Sequence, residues 1–253
     1  DKPMATTPDD CRAIVEAARG AERRGVKAMS VSRFMSPAVQ RAKRAIDSGA
    51  LGEIIAVHTA VVVAYGSGEA FDPVRDERAY HPRWTGGGEI LRHGLYSVTN
   101  IRYLSGREVV TVRCFGGTLF NRAHREYGIE DCATILLTLE GGAVATAVVG
   151  RSSTPTHPAR ADTGALVIGT RGRLTADEHK PAIEVYGTPD LGVISRGYDE
   201  DLIQALVDHF VSCILLDREP AQTIDDSFRV MEVVFAAIES MRTGRTVHIS
   251  AAR

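Results

Sequence analysis

The sequence contains no Gly-x-Gly-x-x-Gly and no Cys-x-x-Cys anywhere in its 253 residues. The first absence removes the loop that cradles a pyrophosphate on backbone amides at a helix N-terminus. Gly66-Ser67-Gly68 follows a strand-like run, but Phe71 stands where the third glycine belongs and Pro73 interrupts the helix that should follow. The second absence, with Cys11, Cys114, Cys132 and Cys213 widely spaced, argues against a zinc ribbon and a disulfide scaffold. A reducing, cytoplasmic setting is the expectation that follows. No run of roughly 18 apolar residues exists, so no membrane-spanning helix is expected. The opening Asp1-Lys2-Pro3-Met4 does not read as a signal peptide. With 30 basic and 32 acidic side chains the net charge is −2, which gives no bulk electrostatic case for a nucleic-acid partner. Lysine is scarce, 4 residues against 26 arginines, and Trp84 is the only tryptophan.

What is present is a globular composition, 44% hydrophobic and 25% charged. Such a length holds one large domain, or one with a fragment of another, and suffices for a sizeable core. Thr7-Pro8-Asp9-Asp10 places a hydroxyl at a helix cap, proline at the first helical position and acid in the first turn. Cys11, Ile14, Val15 and Ala18 then recur at helical spacing, and Val26–Val31 alternates like a strand. A second helix is predicted from Pro37 to a left-handed cap at Gly49. Ile54–Tyr65 is a β-branched run read as a buried strand, and 66–84 reads as a loop. Gly86-Gly87-Gly88 then opens a helix carrying Ile90, Leu91, Leu95, Val98, Ile101 and Leu104.

From about 108 to 186 the pattern is one of strands. The surest hairpin joins Ala133–Leu139 to Ala143–Val149 through Glu140-Gly141-Gly142, and Leu166–Leu174 reads as another strand–turn–strand. Two amphipathic helices, Asp201–Leu216 and Asp225–Met241, close the chain; the first groups Leu202, Ala205, Leu206, His209, Phe210, Cys213 and Ile214 on one side. Helices at both ends of a block of strands predict an α+β domain, an open and mostly antiparallel sheet with helices on one face.

Asp1-Lys2-Pro3-Met4 before a capped helix, Ile46-Asp47-Ser48-Gly49-Ala50-Leu51-Gly52-Glu53-Ile54, the Gly86-Gly87-Gly88 helix head, Ile168-Gly169-Thr170-Arg171-Gly172 and the Arg242-Thr243-Gly244-Arg245 ending come in a telling order. In that order and spacing they resemble the glucose–fructose oxidoreductase / inositol dehydrogenase (Gfo/Idh/MocA) family. The resemblance implies a remnant of a dinucleotide-binding (Rossmann) domain over 1–32, its last helix and strand, and a substrate-binding and dimerisation domain over 33–253. It also implies that roughly the first 90 residues of the family pattern, including the glycine fingerprint, are missing from this chain.

The same resemblance points to the site. Lys2 occupies the position of a lysine that lies near the nicotinamide and the reacting hydroxyl, with Pro3 beside it. The helix after Gly86 matches the signature Asp-x-Gly-x-His-x-x-Asp at Arg92, Gly94, Tyr96 and Thr99, where only the glycine is kept. Tyr96 therefore stands in the histidine's place; its unperturbed pKa near 10 suits it poorly as a base, although Lys2 and Arg92 beside it would lower that value. Catalysis, substrate contact and a packing role all stay open for Tyr96. His93 is one helical step away and is expected to point some 100° aside. Arg92 would favour an anionic substrate if it faces the site, and otherwise forms a surface salt bridge. Trp84 either lines a sugar site or anchors its loop in the core.

Glu89 and His93 stand four apart with His81 nearby, which is metal-ligand spacing but common by chance, and no metal is expected. His209 reads as a satisfied, half-buried side chain, and the stretch from Arg122 to Arg125 around His124 as a solvated loop, although in the family the matching region can reach the site or the partner subunit. The expected set is thus Lys2 and Tyr96 for catalysis, Lys2 and Pro3 for the cofactor, and Trp84, Arg92, His93, Tyr96 and Thr99 for substrate. Two functions stay open. One is an NAD- or NADP-dependent oxidoreductase of sugar or polyol secondary alcohols, truncated here and inactive without its missing part. The other is a non-catalytic sugar-binding or subunit-partner protein that binds no cofactor. The residue that would choose NAD or NADP lies in the missing part. The apolar alternation of the strands predicts a homodimer through the open sheet face.

Overall fold

The computed structural model describes residues 2–31, 35–64, 80–152, 161–178, 182–186, 192–196 and 202–250. The readings at Tyr65–Phe71 and Pro73 lie outside them. The β-branched run becomes β1 (Ile54–Ala64), the centre of the sheet. Around it lie β2 (Val109–Gly117), β3 (Cys132–Leu139), β4 (Val144–Ser152), β5 (Ala161–Gly169), β6 (Arg173–Asp177), β7 (Ala182–Tyr186), β8 (Gly192–Arg196) and β9 (Val247–His248). Their order across the sheet is β8-β7-β6-β5-β1-β4-β3-β2-β9. Only β1 and β4 run parallel; every other neighbouring pair is antiparallel.

Register sorts the side chains by face. Val57 stands between Ala145 and Val167, Thr59 between Ala147 and Ala165, and all six are buried. Ile135 pairs with Ala147 and Leu137 with Ala145, which extends the same apolar layer across β3. The alternate positions Phe115, Leu136 and Val144 remain exposed. Such alternation is what a sheet covered on one face requires.

The helices are α1 (Pro8–Glu22), α2 (Pro37–Asp47), α3 (Pro82–Thr85), α4 (Leu95–Ser105), α5 (Arg122–Glu126), α6 (Leu202–Leu215) and α7 (Ile224–Thr243), and the layer on the sheet is built from α2, α4 and α7, with α1 packed on α7. Thr7 caps α1 by accepting from Asp10 N, with Pro8 at its start, and Gly49 closes the turn after α2 at φ 78°. A reciprocal capping box of Thr223 and Asp226 starts α7. Leu91, Val98, Ile101, Val230, Met231 and Val234 pack from this layer into the sheet core. Among the described residues, no helix is long and apolar enough to cross a membrane.

Four sequence expectations need correction. Val26–Val31 forms no strand among the described residues: it meets no neighbouring strand to complete a ladder. The end of the expected 66–84 loop is the short helix α3, started by Pro82. The expected helix after Gly86 begins as a π turn over Ile90–Gly94 and continues as α4. Ile214, grouped with Leu206 and Cys213 by spacing, is exposed while those two are buried.

Candidate active site

The three glycines set the backbone first. Gly86 ends α3 in the left-handed region at φ 76°, which suits a residue without a Cβ. At Gly88 a Cβ would come within 2.3–2.5 Å of the Glu130 carboxyl and carbonyl. That close approach lets Glu89 N donate to Glu130 O at 3.2 Å and Ile90 N donate to Glu130 Oε1 at 2.8 Å. The first turn of the helix is thereby tied to the segment that leads into β3. Burial pushes the Glu130 carboxyl up, and the Ile90 hydrogen bond partly offsets this.

Glu89 is fully buried at the centre of the site. Its Oε2 lies 2.5 Å from His93 Nδ1, and its Oε1 lies 2.8 Å from His124 Nε2 and 3.0 Å from Arg151 Nε. Burial works to raise the Glu89 pKa, but the hydrogen bonds from His124 and His93 and the Arg151 charge outweigh it and hold the carboxyl well below the usual range. His93 moves down as well: burial dominates, Glu89 opposes it, and the Arg151 and Lys2 charges add to the depression. The cluster thus consists of a carboxylate and two imidazoles that donate to it. With Nε2–H given to Glu89, His124 has a buried Nδ1 without a hydrogen-bond partner among the described residues. Tyr80 stacks on His124 at 4.8 Å between centroids, and the Arg92 and Arg151 guanidinium groups lie 5.1 and 5.7 Å from the Tyr80 ring.

The N-terminal segment completes the arrangement. Lys2 Nζ donates to the Arg92 carbonyl oxygen at 3.2 Å and sits 5.1 Å from the centroid of the Tyr96 ring. The Tyr96 and His93 rings lie 6.3 Å apart. Lys2 and Pro3 line a narrow cleft with Ser30, Val31, Thr99 and Gln222, and Gln222 Oε1 is buried without a hydrogen-bond partner among the described residues. Of the expected residues, Lys2, Pro3, Arg92, His93, Tyr96 and Thr99 therefore gather around one helix.

Some expectations change. The Arg92 guanidinium is largely buried, which depresses its pKa, and rests on the Tyr80 ring. Trp84 is 61% exposed with the Arg83 guanidinium 4.6 Å from its ring, so it does not anchor a loop in the core. His81 caps α3 by accepting from Arg83 N, while Glu89 and His93 turn to each other. The expected solvated loop around His124 is the helix α5, capped by Asn121, with His124 fully buried. His209 Nε2 accepts from Ala221 N at 3.0 Å, a satisfied side chain as read.

The i,i+4 spacing announced the Glu89–His93 contact. Nothing local announced His124 or Arg151, which long-range folding alone brings to Glu89.

The comparisons with known proteins agree with this architecture. The chain is 26% identical over its whole length to 70% of a scyllo-inositol 2-dehydrogenase (NAD(+)) of Bacillus subtilis. It is 29% identical over 98% of its length to 65% of a D-apiose dehydrogenase of Paraburkholderia graminis. An oxidoreductase of Bacillus subtilis matches at 27% identity over 65% of this chain and 49% of its own length. The chain thus spans from about half to 70% of these curated relatives. Among solved structures, an aldose–aldose oxidoreductase of Caulobacter crescentus complexed with glycerol superposes with a TM-score of 0.77 at 28% identity, over 98% of this chain and 70% of that one. An oxidoreductase domain protein of Kribbella flavida superposes with a TM-score of 0.83 at 19% identity, over 98% and 72%, and shares the fold. A family model described as the GFO/IDH/MocA C-terminal domain matches residues 39–175, more than half of the sequence, and on that match the chain belongs to the Gfo/Idh/MocA family.

Proposed function

We propose that this chain is the substrate-binding and dimerisation part of an NAD(P)-dependent oxidoreductase that takes a secondary alcohol of a sugar or polyol to the carbonyl. In this reading residues 1–32 are the closing part of a dinucleotide-binding domain and 33–253 the substrate domain. The observation that carries it is Lys2, whose ammonium reaches the Arg92 carbonyl and the Tyr96 ring at the head of the glycine-led helix. An ammonium there would lower the pKa of a bound alcohol by stabilising its alkoxide. The inositol and apiose dehydrogenases among its relatives support a polyhydroxylated substrate.

The residues present suit the nicotinamide end of such a cofactor. Lys2 and Pro3 would flank it, and the unpartnered Gln222 Oε1 in the same cleft is an acceptor for an amide NH₂. No glycine loop for the phosphates occurs in this sequence. When bound, the nicotinamide supplies the acceptor for the hydrogen that leaves carbon with its electron pair.

A second reading, a sugar-binding or subunit-partner protein without catalysis, is favoured by Arg92, Tyr96 and Thr99 at the signature positions. Titration with NADH and NADPH, followed through Trp84 fluorescence with and without added polyol, separates the two. Saturable quenching, with turnover of a polyol by the oxidised cofactor, is expected of the enzyme. Polyol binding without quenching at millimolar cofactor would leave this chain a substrate-domain part or a binding partner, and the enzyme claim would pass to a longer parent.

A further inference from the structure

We propose that the proton-accepting group of this site is His93 rather than Tyr96, with Glu89 as the positioning residue that leaves His93 Nε2 open to a substrate hydroxyl. The inference rests on the reading above, that a polyol hydroxyl is handled at this helix.

A regular α-helix would turn residue 93 about 100° away from the adjacent signature positions. A π turn over Ile90–Gly94 widens the spiral at this point, as π turns commonly do at functional sites. His93 is buried with its ring beside that of Tyr96, three residues on, centroids 6.3 Å apart, and its Nδ1 is bonded to the Glu89 carboxylate. A carboxylate accepts only, so Nδ1 carries the hydrogen and Nε2 keeps the lone pair. This is the tautomer a general base needs.

The surroundings favour the same state. Glu89 lies on the same turn, Arg151 on β4, His124 on α5, and the Lys2 ammonium and the Tyr96 ring lie near the imidazole. Burial with the Lys2 and Arg151 charges keeps the imidazole neutral until a proton arrives. Once it arrives, the imidazolium sits 2.5 Å from a carboxylate that is already charged. Tyr96 offers nothing equivalent, since a phenol must first lose its own proton.

In alcohol oxidation the O–H bond breaks and its proton passes to His93 Nε2. The carbon-bound hydrogen leaves with the electron pair for an oxidised nicotinamide dinucleotide, and the C–O bond becomes a carbonyl. The proton then returns to solvent from Nε2 while Nδ1–H stays on Glu89.

The test needs no cofactor. The full chain, labelled with ¹⁵N-histidine and ¹³C-tyrosine, is titrated at neutral pH with myo-inositol, D-xylose or glycerol. The expected spectrum shows His93 neutral, with hydrogen on Nδ1, and a saturable shift of Nε2 as polyol binds. Glu89→Gln should erase the single-tautomer signature and weaken the Nε2 response. An Nε2–H tautomer in the unmodified chain would overturn the proposal whatever the variant does. Polyol binding that moves the Tyr96 resonance but not Nε2 would overturn it and leave the functional reading standing. Absence of saturable binding by any polyol would overturn the functional reading and the role of His93 with it.

Discussion

Glu89 is a carboxylate without solvent, and its three partners are themselves buried or nearly so. Removing one member of such a group leaves the others charged or polar and unpaired, at a cost of about 3–5 kcal/mol. Glu89→Ala should therefore lower unfolding stability by about that amount in urea titrations, more than a single exposed ion pair such as Arg12–Asp9 would. The same residues make stability depend on pH, and both work in one direction. His93 has a depressed folded-state pKa, so the unfolded chain binds its proton first, and stability should begin to fall below about pH 6.5. Glu89 is also depressed, so a second loss should set in below about pH 4.3, the unfolded glutamate value. Urea midpoints measured from pH 8 to 4 should decline across this range, and His93→Gln should flatten the upper part. Glu130, whose carboxyl burial holds up, works the other way, so the His93 part is read against His93→Gln: an advantage of the unmodified chain that does not shrink as the pH falls from 7 to 5 would contradict the neutral, buried state of His93.

At the scale of elements, the glycine run shows how far local chemistry carried the reading. Gly86 was marked by its place before a helical pattern, and the structure gives it φ 76°; the hairpin at Glu140-Gly141-Gly142 was marked likewise. The cap at Thr7 and the alternation along β3 and β4 are equally local, and they carried much of the fold. The π turn was not legible, because the contacts that accompany it come from Glu130, distant in sequence. Arg151 and His124 joined the site through sheet register and the placement of α5, which no spacing within the helix encodes. The spacing of Val26–Val31 suggested a strand, but strand formation needs a neighbour as well as an alternation. Two substitutions test the elements that hold the site. Gly88→Ala should force Glu130 aside, break its bond to Ile90 N and cost about 1–3 kcal/mol. Thr223→Ala should remove the α7 capping box at about 1 kcal/mol and leave the His93 tautomer unchanged.

For the whole molecule, the unresolved balance is between two exposed apolar surfaces. One is the open sheet face, where Phe115, Leu136 and Val144 stand among Thr134, Thr138 and Thr146. The other is a stripe on α6, where Ile203, Val207 and Val211 repeat at four-residue intervals. The sheet face is broad and set by the register of several paired strands, whereas the stripe is one helix wide. A stable interface needs about 800 Å² from each partner, which favours the sheet as the surface that pairs two copies. Sedimentation of the 27.3 kDa chain at micromolar concentration should then give twice the monomer mass. Leu136→Asp would bury a carboxylate against the partner's apolar face, so it should return the chain to monomer with its helical signal unchanged. Val207→Asp should leave the dimer intact. If Val207→Asp disperses the dimer and Leu136→Asp does not, α6 is the surface that pairs and the sheet face is free for another role.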